Sequence, residues 1–468
     1  MRVAVAGAIR RAATLPLADR LAEAIAILLL IPLTLSVALW NGFPIIFYDT
    51  GAYLLEGLGR EFLAERSPVY SLFLDYGGAG ASLWFIAVIQ AAATAFVMVE
   101  TARAVAPNLG LGAFLGACVA LVLLTGLPWY VGQIEPDCFA ALAALSIYLL
   151  AFYAPTFAGW RCWLLMAIAT FSMAVHPSHL LLGGTLVAAA CVYRGASIAA
   201  RSRIWPRVEI ARSLACCVLG LCLIVASNFE LTGQIFVSRA GPAFIFARLL
   251  QDRIVMRLLD DTCPGAHYRL CTFKDALPRT ADQWLWGRGS PFRRMGRFTG
   301  TGPESTRIIW DTLEHYPLLQ ARAAVADASR QLVTFKTGDQ IEPQEWILSK
   351  PLGRFIPDQL GAYLAARQQK GEIDFRPIND LHVPFAWLSL LGLVLALVWA
   401  VRRRRKENLL FLGYVVLALT ANATICGALS NPHDRYQSRL VWLAPFALVL
   451  IAGDRATFAL RGWGESGT

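Results

Sequence analysis

Across 468 residues only 16% of side chains are charged, while the AVILMFWYC set reaches 57% and mean hydropathy is +0.52. An average soluble protein carries roughly 25% charged residues, so this chain lacks the polar surface to cover itself in water. Low charge also excludes a disordered chain, and the net charge of +10 (42 basic, 32 acidic) gives no reason to expect a nucleic-acid partner. The composition is that of a polytopic membrane protein whose first partner is the lipid bilayer.

Crossing about 30 Å of hydrocarbon takes roughly 20 apolar residues. Ten stretches are candidates, near 22–40, 82–102, 109–127, 137–154, 160–175, 178–193, 213–229, 383–401, 408–428 and 439–453. The predicted fold class is therefore all-α: a bundle of about ten transmembrane helices. A mostly helical extracytoplasmic domain is inserted before the last three. The predicted divisions are 1–230 (seven helices, with interfacial helices at about 51–74), 231–382 (the inserted domain) and 383–468 (three helices). Within the inserted domain, helical periodicity runs over 243–259, 316–335 and 356–370.

Cytoplasmic loops retain Lys and Arg. With both termini inside, 18 of the 42 basic residues fall in cytoplasmic segments, among them Arg2, Arg10, Arg11, Arg103, Arg161, Arg201, Arg203, Arg207 and the 402–406 run. Another 20 lie in 231–382, leaving Arg60, Arg66, Arg435 and Arg439 in short outer loops. The expected location is a bacterial inner membrane, on compositional grounds. Cys263 and Cys271, placed in the outside domain, form a disulfide in an oxidising compartment more readily than a metal site.

The conspicuous polar motifs collect at outer helix ends. Asp49, in Phe47-Tyr48-Asp49-Thr50, either caps a helix beginning at Thr50 or acts as a general base. Glu135-Pro136-Asp137 is either an ordinary helix start or an acidic pair for a metal or a sugar hydroxyl. His176-Pro177-Ser178-His179 reads as a Pro-initiated turn or as an anion-binding helix N-terminus. Arg435 and Arg439, four apart on one helix face, either clamp a phosphate or reach lipid head groups. Gly110, Gly112 and Gly116 suggest close helix packing rather than a nucleotide loop, and the Asn422-x-Thr424 glycosylation pattern falls within a span. P-loop, HExxH, GxSxG and CxxC patterns are absent from the sequence.

Together the motifs resemble the glycosyltransferase C superfamily, the multi-span enzymes that use polyprenyl-phosphate-linked sugars, including the aminoarabinose, protein O-mannosyl and galacturonosyl transferases. The resemblance rests on Asp49 after the first span, on "SPVYSLFL" (67–74), on "EPD" opening the fourth span and on "DRYQSRLVWLAPFALVLIAG" (434–453). Thr50 stands where many relatives carry a second acidic residue. The resemblance implies inverting sugar transfer from a polyprenyl-phosphate donor to an envelope acceptor (lipid, polysaccharide or protein) on the periplasmic side. Asp49 would be the catalytic base, and Glu135 and Asp137 would position the acceptor or share a divalent metal with it. Arg435 and Arg439, with His176 and His179, would hold the donor phosphate. The alternatives are an O-antigen ligase or polymerase-like enzyme, or a non-catalytic transport or assembly subunit.

Overall fold

The computed structural model describes residues 17–199 and 208–464, so the predicted anchors Arg2, Arg10, Arg11, Arg201, Arg203 and Arg207 lie outside the described residues. All regular structure among the described residues is helical, save one isolated bridge between Ile45 and Gln133. The first predicted span divides into α1 (Leu17–Thr34) and α2 (Ser36–Asn41). The Thr34 hydroxyl turns back onto the Leu30 carbonyl at 2.8 Å, and Gly42, in the left-handed region, closes α2.

The short helices α3 (Thr50–Gly57) and α4 (Pro68–Tyr76) follow and pack backbone to backbone. A Cβ on Gly57 would stand 2.1 Å from the Ser71 carbonyl oxygen, so glycine is required there. Next come α5 (Leu83–Val105), α6 (Leu111–Leu124), α7 (Leu127–Val131), α8 (Cys138–Phe152), α9 (Gly159–Ala174), α10 (Pro177–Ala199) and α11 (Ile210–Thr232). A helix apolar all round has no face to offer water and belongs at the centre. α8 is that helix: every residue from Cys138 to Ala151 is buried. α5, α9, α10 and α11 pack around it, and Tyr414 donates its hydroxyl hydrogen bond to the Ala144 carbonyl at 2.7 Å. At the end of the bundle away from the motifs, Arg103 and Arg161 grip Glu23 and the buried Glu100, tying α1, α5 and α9 together. Gly110, Gly112 and Gly116 face open space, so the predicted close packing at these glycines is not what they provide.

The 231–382 segment divides its side chains between two cores. α12 (Gly241–Gln251), α13 (Ile254–Thr262), α14 (Ala281–Trp286), α15 (Pro291–Arg294) and α16 (Arg297–His315) enclose a core of their own around Phe246, Trp284 and Phe292. Cys263 and Cys271 are disulfide-bonded there, as predicted. α17 (Pro317–Leu332) packs Leu319 and Ala323 against that core, whereas α18 (Glu345–Phe355) and α19 (Pro357–Ala365) join the main bundle, to which Leu348, Leu352 and Tyr363 belong. The remaining helices are α20 (Phe375–Arg402), α21 (Lys406–Leu429), α22 (Asp434–Val441) and α23 (Leu443–Gly464). α17 lies so close along α21 that a Cβ on Gly427 would meet the Asp327 carbonyl oxygen at 2.6 Å.

Among the described residues six helical stretches are long and apolar enough to cross a membrane: Leu83–Val105, Pro177–Ala199, Ile210–Thr232, Phe375–Arg402, Lys406–Leu429 and Asp434–Gly453. Leu111–Leu124 and Cys138–Phe152 are apolar but shorter.

Between α3 and α4, Glu56 is fully buried, accepting from the Ser71 hydroxyl at 2.6 Å and from the Leu63 N–H at 3.0 Å. Burial pushes its carboxyl up to about 7, against the two hydrogen bonds, with the Glu65 charge adding to the rise and Arg66 opposing it. The folded protein thus keeps a proton that the unfolded chain releases near pH 4.5. Stability in micelles is expected to fall as pH rises from about 4.5 to about 7 and to level off above, by at most about 3 kcal/mol. Glu56→Gln should flatten that slope in unfolding measured at pH 5 and pH 7.5; an unchanged slope would assign the dependence elsewhere.

Candidate functional site

Two loops are sewn together ahead of α3 and α8. The Ile45 N–H donates to the Gly132 carbonyl and the Ile134 N–H to the Ile45 carbonyl, each at 2.9 Å. The Thr50 hydroxyl donates to the Ile134 carbonyl at 2.9 Å and accepts the Phe47 N–H at 3.0 Å. Gln90 adds bonds to the carbonyls of Val131 and Gln133. Asp49 and the Glu135–Asp137 pair are therefore fixed side by side at the N-terminus of the central helix.

Neither acidic motif does the capping work that its position suggests. Asp49 and Asp137 occupy the residue before α3 and α8, yet neither side chain bonds its own helix. Asp49 instead accepts a short charge-assisted hydrogen bond from Arg66, and Asp137 accepts one of 2.5 Å from Arg439 Nη1. Between them lies Arg435, its Nη1 4.0 Å from Asp49 Oδ2 and 3.8 Å from Glu135 Oε1, and its Nε 4.0 Å from Asp137 Oδ2. The Arg435 guanidinium lies over the Phe47 ring, 4.2 Å from its centroid. Arg439 is 0% exposed, and it donates also to the Ser178 hydroxyl at 3.2 Å and to Asn422 Oδ1 at 3.4 Å.

Glu135 and Asp137 are each 1% exposed, whereas Asp49, at 9%, lies nearest the surface of the three. Burial and the neighbouring Asp49 carboxylate push Glu135 well above the usual carboxylate range, against the pull of Arg435. Glu135 Oε2, Asp137 Oδ2, Arg435 Nη1 and the Nε of Arg66 and Arg439 are buried without a hydrogen-bond partner, and groups of this kind ordinarily bond to something.

The four motifs thus do not contribute equally. Asp49, Glu135, Asp137, Arg435 and Arg439 meet in one centre. His176 and His179 stand behind it: His176 Nδ1 is 2.8 Å from the Ser178 hydroxyl that Arg439 bonds, and His179 Nδ1 faces the Ser172 carbonyl at 3.1 Å. Burial and Arg439 push the His176 imidazole down to about 3, so it serves as a neutral ring. The carboxylates do not suit a divalent metal, because a guanidinium occupies the space they would coordinate into. Among the described residues no cluster of three or more His, Cys, Asp or Glu is spaced to hold one.

Sequence reasoning passed over Arg66, which it assigned only to an outer loop, and Asn422, which it discounted. A carboxamide in the middle of an apolar span was the available signal for the second: its Nδ2 donates to the Tyr436 carbonyl at 2.7 Å and to Gln437 Oε1 at 2.9 Å. It also passed over the residues that hold the centre's parts in place. Gln368 bonds both the N–H and the C=O of Ile46, at 2.9 and 2.6 Å. Gln331 does the same to His433, at 2.9 and 2.8 Å. His433, at the start of α22, lies 3.5 Å from Asp282 and 3.6 Å from Asp339. Burial works against its imidazolium, but the two carboxylates outweigh it and push the ring up to about 9.

Among the described residues the protein is all-helical, with six helical stretches long and apolar enough to cross a membrane and a buried centre of interleaved carboxylates and guanidinia at helix ends. Compared with protein families, curated proteins and solved structures, the chain matches none.

Proposed function

We propose that the chain is an integral membrane glycosyltransferase. It moves a sugar, with inversion, from a polyprenyl-phosphate-linked donor to a hydroxyl of an envelope acceptor on the periplasmic face of a bacterial inner membrane. One observation carries this reading: three carboxylates and three guanidinia from distant segments interleave in one buried centre, with polar atoms of both signs left unpartnered. With Glu135 neutral, the guanidinia outnumber the charged carboxylates by one, which favours an anion such as a lipid phosphate.

Asp49 Oδ1 is held by Arg66, so Oδ2 is the atom that takes the acceptor's proton. The acceptor oxygen then bonds to the anomeric carbon as the bond from that carbon to the phosphate oxygen breaks, and the electron pair leaves on the lipid phosphate. Arg435 and Arg439 meet the charge that develops there. Glu135, carrying its proton, donates to the acceptor and orients it, while Asp137 keeps Arg439 in place. The disulfide supports an oxidising compartment for the inserted segment.

The phosphate role is tested by ligand stabilisation. Polyprenyl phosphate alone should raise the melting temperature of the purified protein, since a ligand that binds only the folded state stabilises it by mass action. The uncharged polyprenol should not. Arg435→Gln should lose most of the shift; an equal shift with Arg435→Gln, or none with the wild type, would refute the assignment.

A further inference from the structure

The inserted segment carries a concentration of positive charge that the centre does not use. Residues 283–303 contain Arg288, Arg293, Arg294 and Arg297 and no Asp or Glu. All four arginines are exposed. The ion pairs formed by neighbouring side chains, Arg248–Asp252, Lys274–Asp260 and Arg307–Asp311, involve none of them. Four unpaired guanidinia in ten residues repel one another, and an anionic partner removes that repulsion.

The patch adjoins aromatic rings, with the Arg297 guanidinium 5.8 Å from the Phe298 ring centroid. Trp286, 37% exposed, directly precedes Gly287-Arg288, and its ring lies 6.0 Å from that of Phe298. The Arg66 guanidinium also sits 6.0 Å from the Trp286 ring centroid, and the same Arg66 holds Asp49. A partly exposed ring at the edge of an arginine-rich surface suits the apolar part of a sugar whose acidic substituents reach the arginines, and Arg66 links that ring to the proposed base.

We infer that Trp286, Arg288, Arg293, Arg294 and Arg297 form a binding surface for an acidic oligosaccharide, and that this saccharide is the acceptor. The second part rests on the transferase reading; the first does not. A lipid head group would meet the arginines but has no use for the ring, so the saccharide is the occupant the surface favours.

The test is binding, without donor, to the full-length protein in zwitterionic nanodiscs, with an oligogalacturonate as probe and a neutral dextran of equal length as control. The uronate should bind with an affinity that falls as salt rises, and the dextran should bind far more weakly. R293S/R294S should weaken uronate binding about ten-fold, as expected for two charged contacts of modest strength. Trp286→Ala should weaken it as well, whereas Trp286→Phe keeps the aromatic face and most of the binding. Equal affinity for R293S/R294S, equal affinity for dextran, or indifference to Trp286→Ala would each overturn the surface. So would arginine-dependent binding confined to nanodiscs of anionic lipid. If the uronate binds as described but polyprenyl phosphate gives no stabilisation, the surface stands and the transferase reading fails.

Discussion

An Asp49→Asn protein is expected to fold, to bind polyprenyl phosphate as the wild type does, and to transfer sugar about 10²- to 10⁴-fold more slowly, the range that a positioned general base contributes. Asparagine retains an oxygen for the Arg66 hydrogen bond but cannot take a proton from the acceptor, so geometry survives while chemistry does not. Of the three carboxylates, only Asp49 combines partial exposure with an oxygen not already in a close ion pair. Asp137 is spent on Arg439, and Glu135 already favours its protonated form. The readout is free polyprenyl phosphate released when a polyprenyl-phosphate-linked sugar is supplied with an envelope extract as acceptor. A rate within a few-fold of wild type would remove Asp49 as the base. It would also move the balance toward a ligase-like enzyme or a non-catalytic subunit, neither of which needs this carboxylate.

Apolar periodicity made the helices legible because each one is a local property of its own residues. All ten predicted stretches are helical, whereas the central place of α8 shows only in the fold, where every residue from Cys138 to Ala151 is buried. The interruption at Leu35 between α1 and α2 was not legible, because the apolar pattern runs straight through it. Among site residues, the sequence showed which polar groups sit at helix ends but not which of them meet. Asp49 as a cap and Asp49 as a functional carboxylate look the same until Arg66 is placed beside it. Asp137 and Arg439 are 302 residues apart, and nothing local relates them.

The sequence predicts the inserted segment only as a mostly helical extracytoplasmic domain. Two of its buried glutamines instead grip the centre directly, Gln368 on the Ile46 backbone that leads to Asp49 and Gln331 on the His433 backbone that leads to Arg435. Each clamp uses both ends of a carboxamide on one residue's N–H and C=O, a pattern that only the folded chain displays. The carboxylate half and the guanidinium half of the centre are thus each held from the same inserted segment, so loosening that segment should affect the centre before it affects the spans.

Arg439→Leu should be among the most destabilising single changes available in this chain. Arg439 and Asp137 have side-chain exposures of 0% and 1%, so removing the guanidinium strands a charge away from water. Breaking a buried pair from one side costs about 3–5 kcal/mol. Arg435 remains 4.0 Å from Asp137 Oδ2, which places the expected loss near the lower end, about 3 kcal/mol. The leucine also deprives Ser178 and Asn422 of a donor, so the effect should reach α10 and α21 as well as α8. Adding Asp137→Asn removes the stranded charge. The double variant should therefore be more stable than the sum of the two single changes predicts, and the difference measures the coupling. Reversible unfolding of all four proteins in mixed micelles closes that cycle. A single Arg439→Leu within about 0.5 kcal/mol of wild type, the usual range for an unimportant surface change, would mean that Asp137 is neutral in the folded protein, and that the third guanidinium serves a ligand rather than the fold.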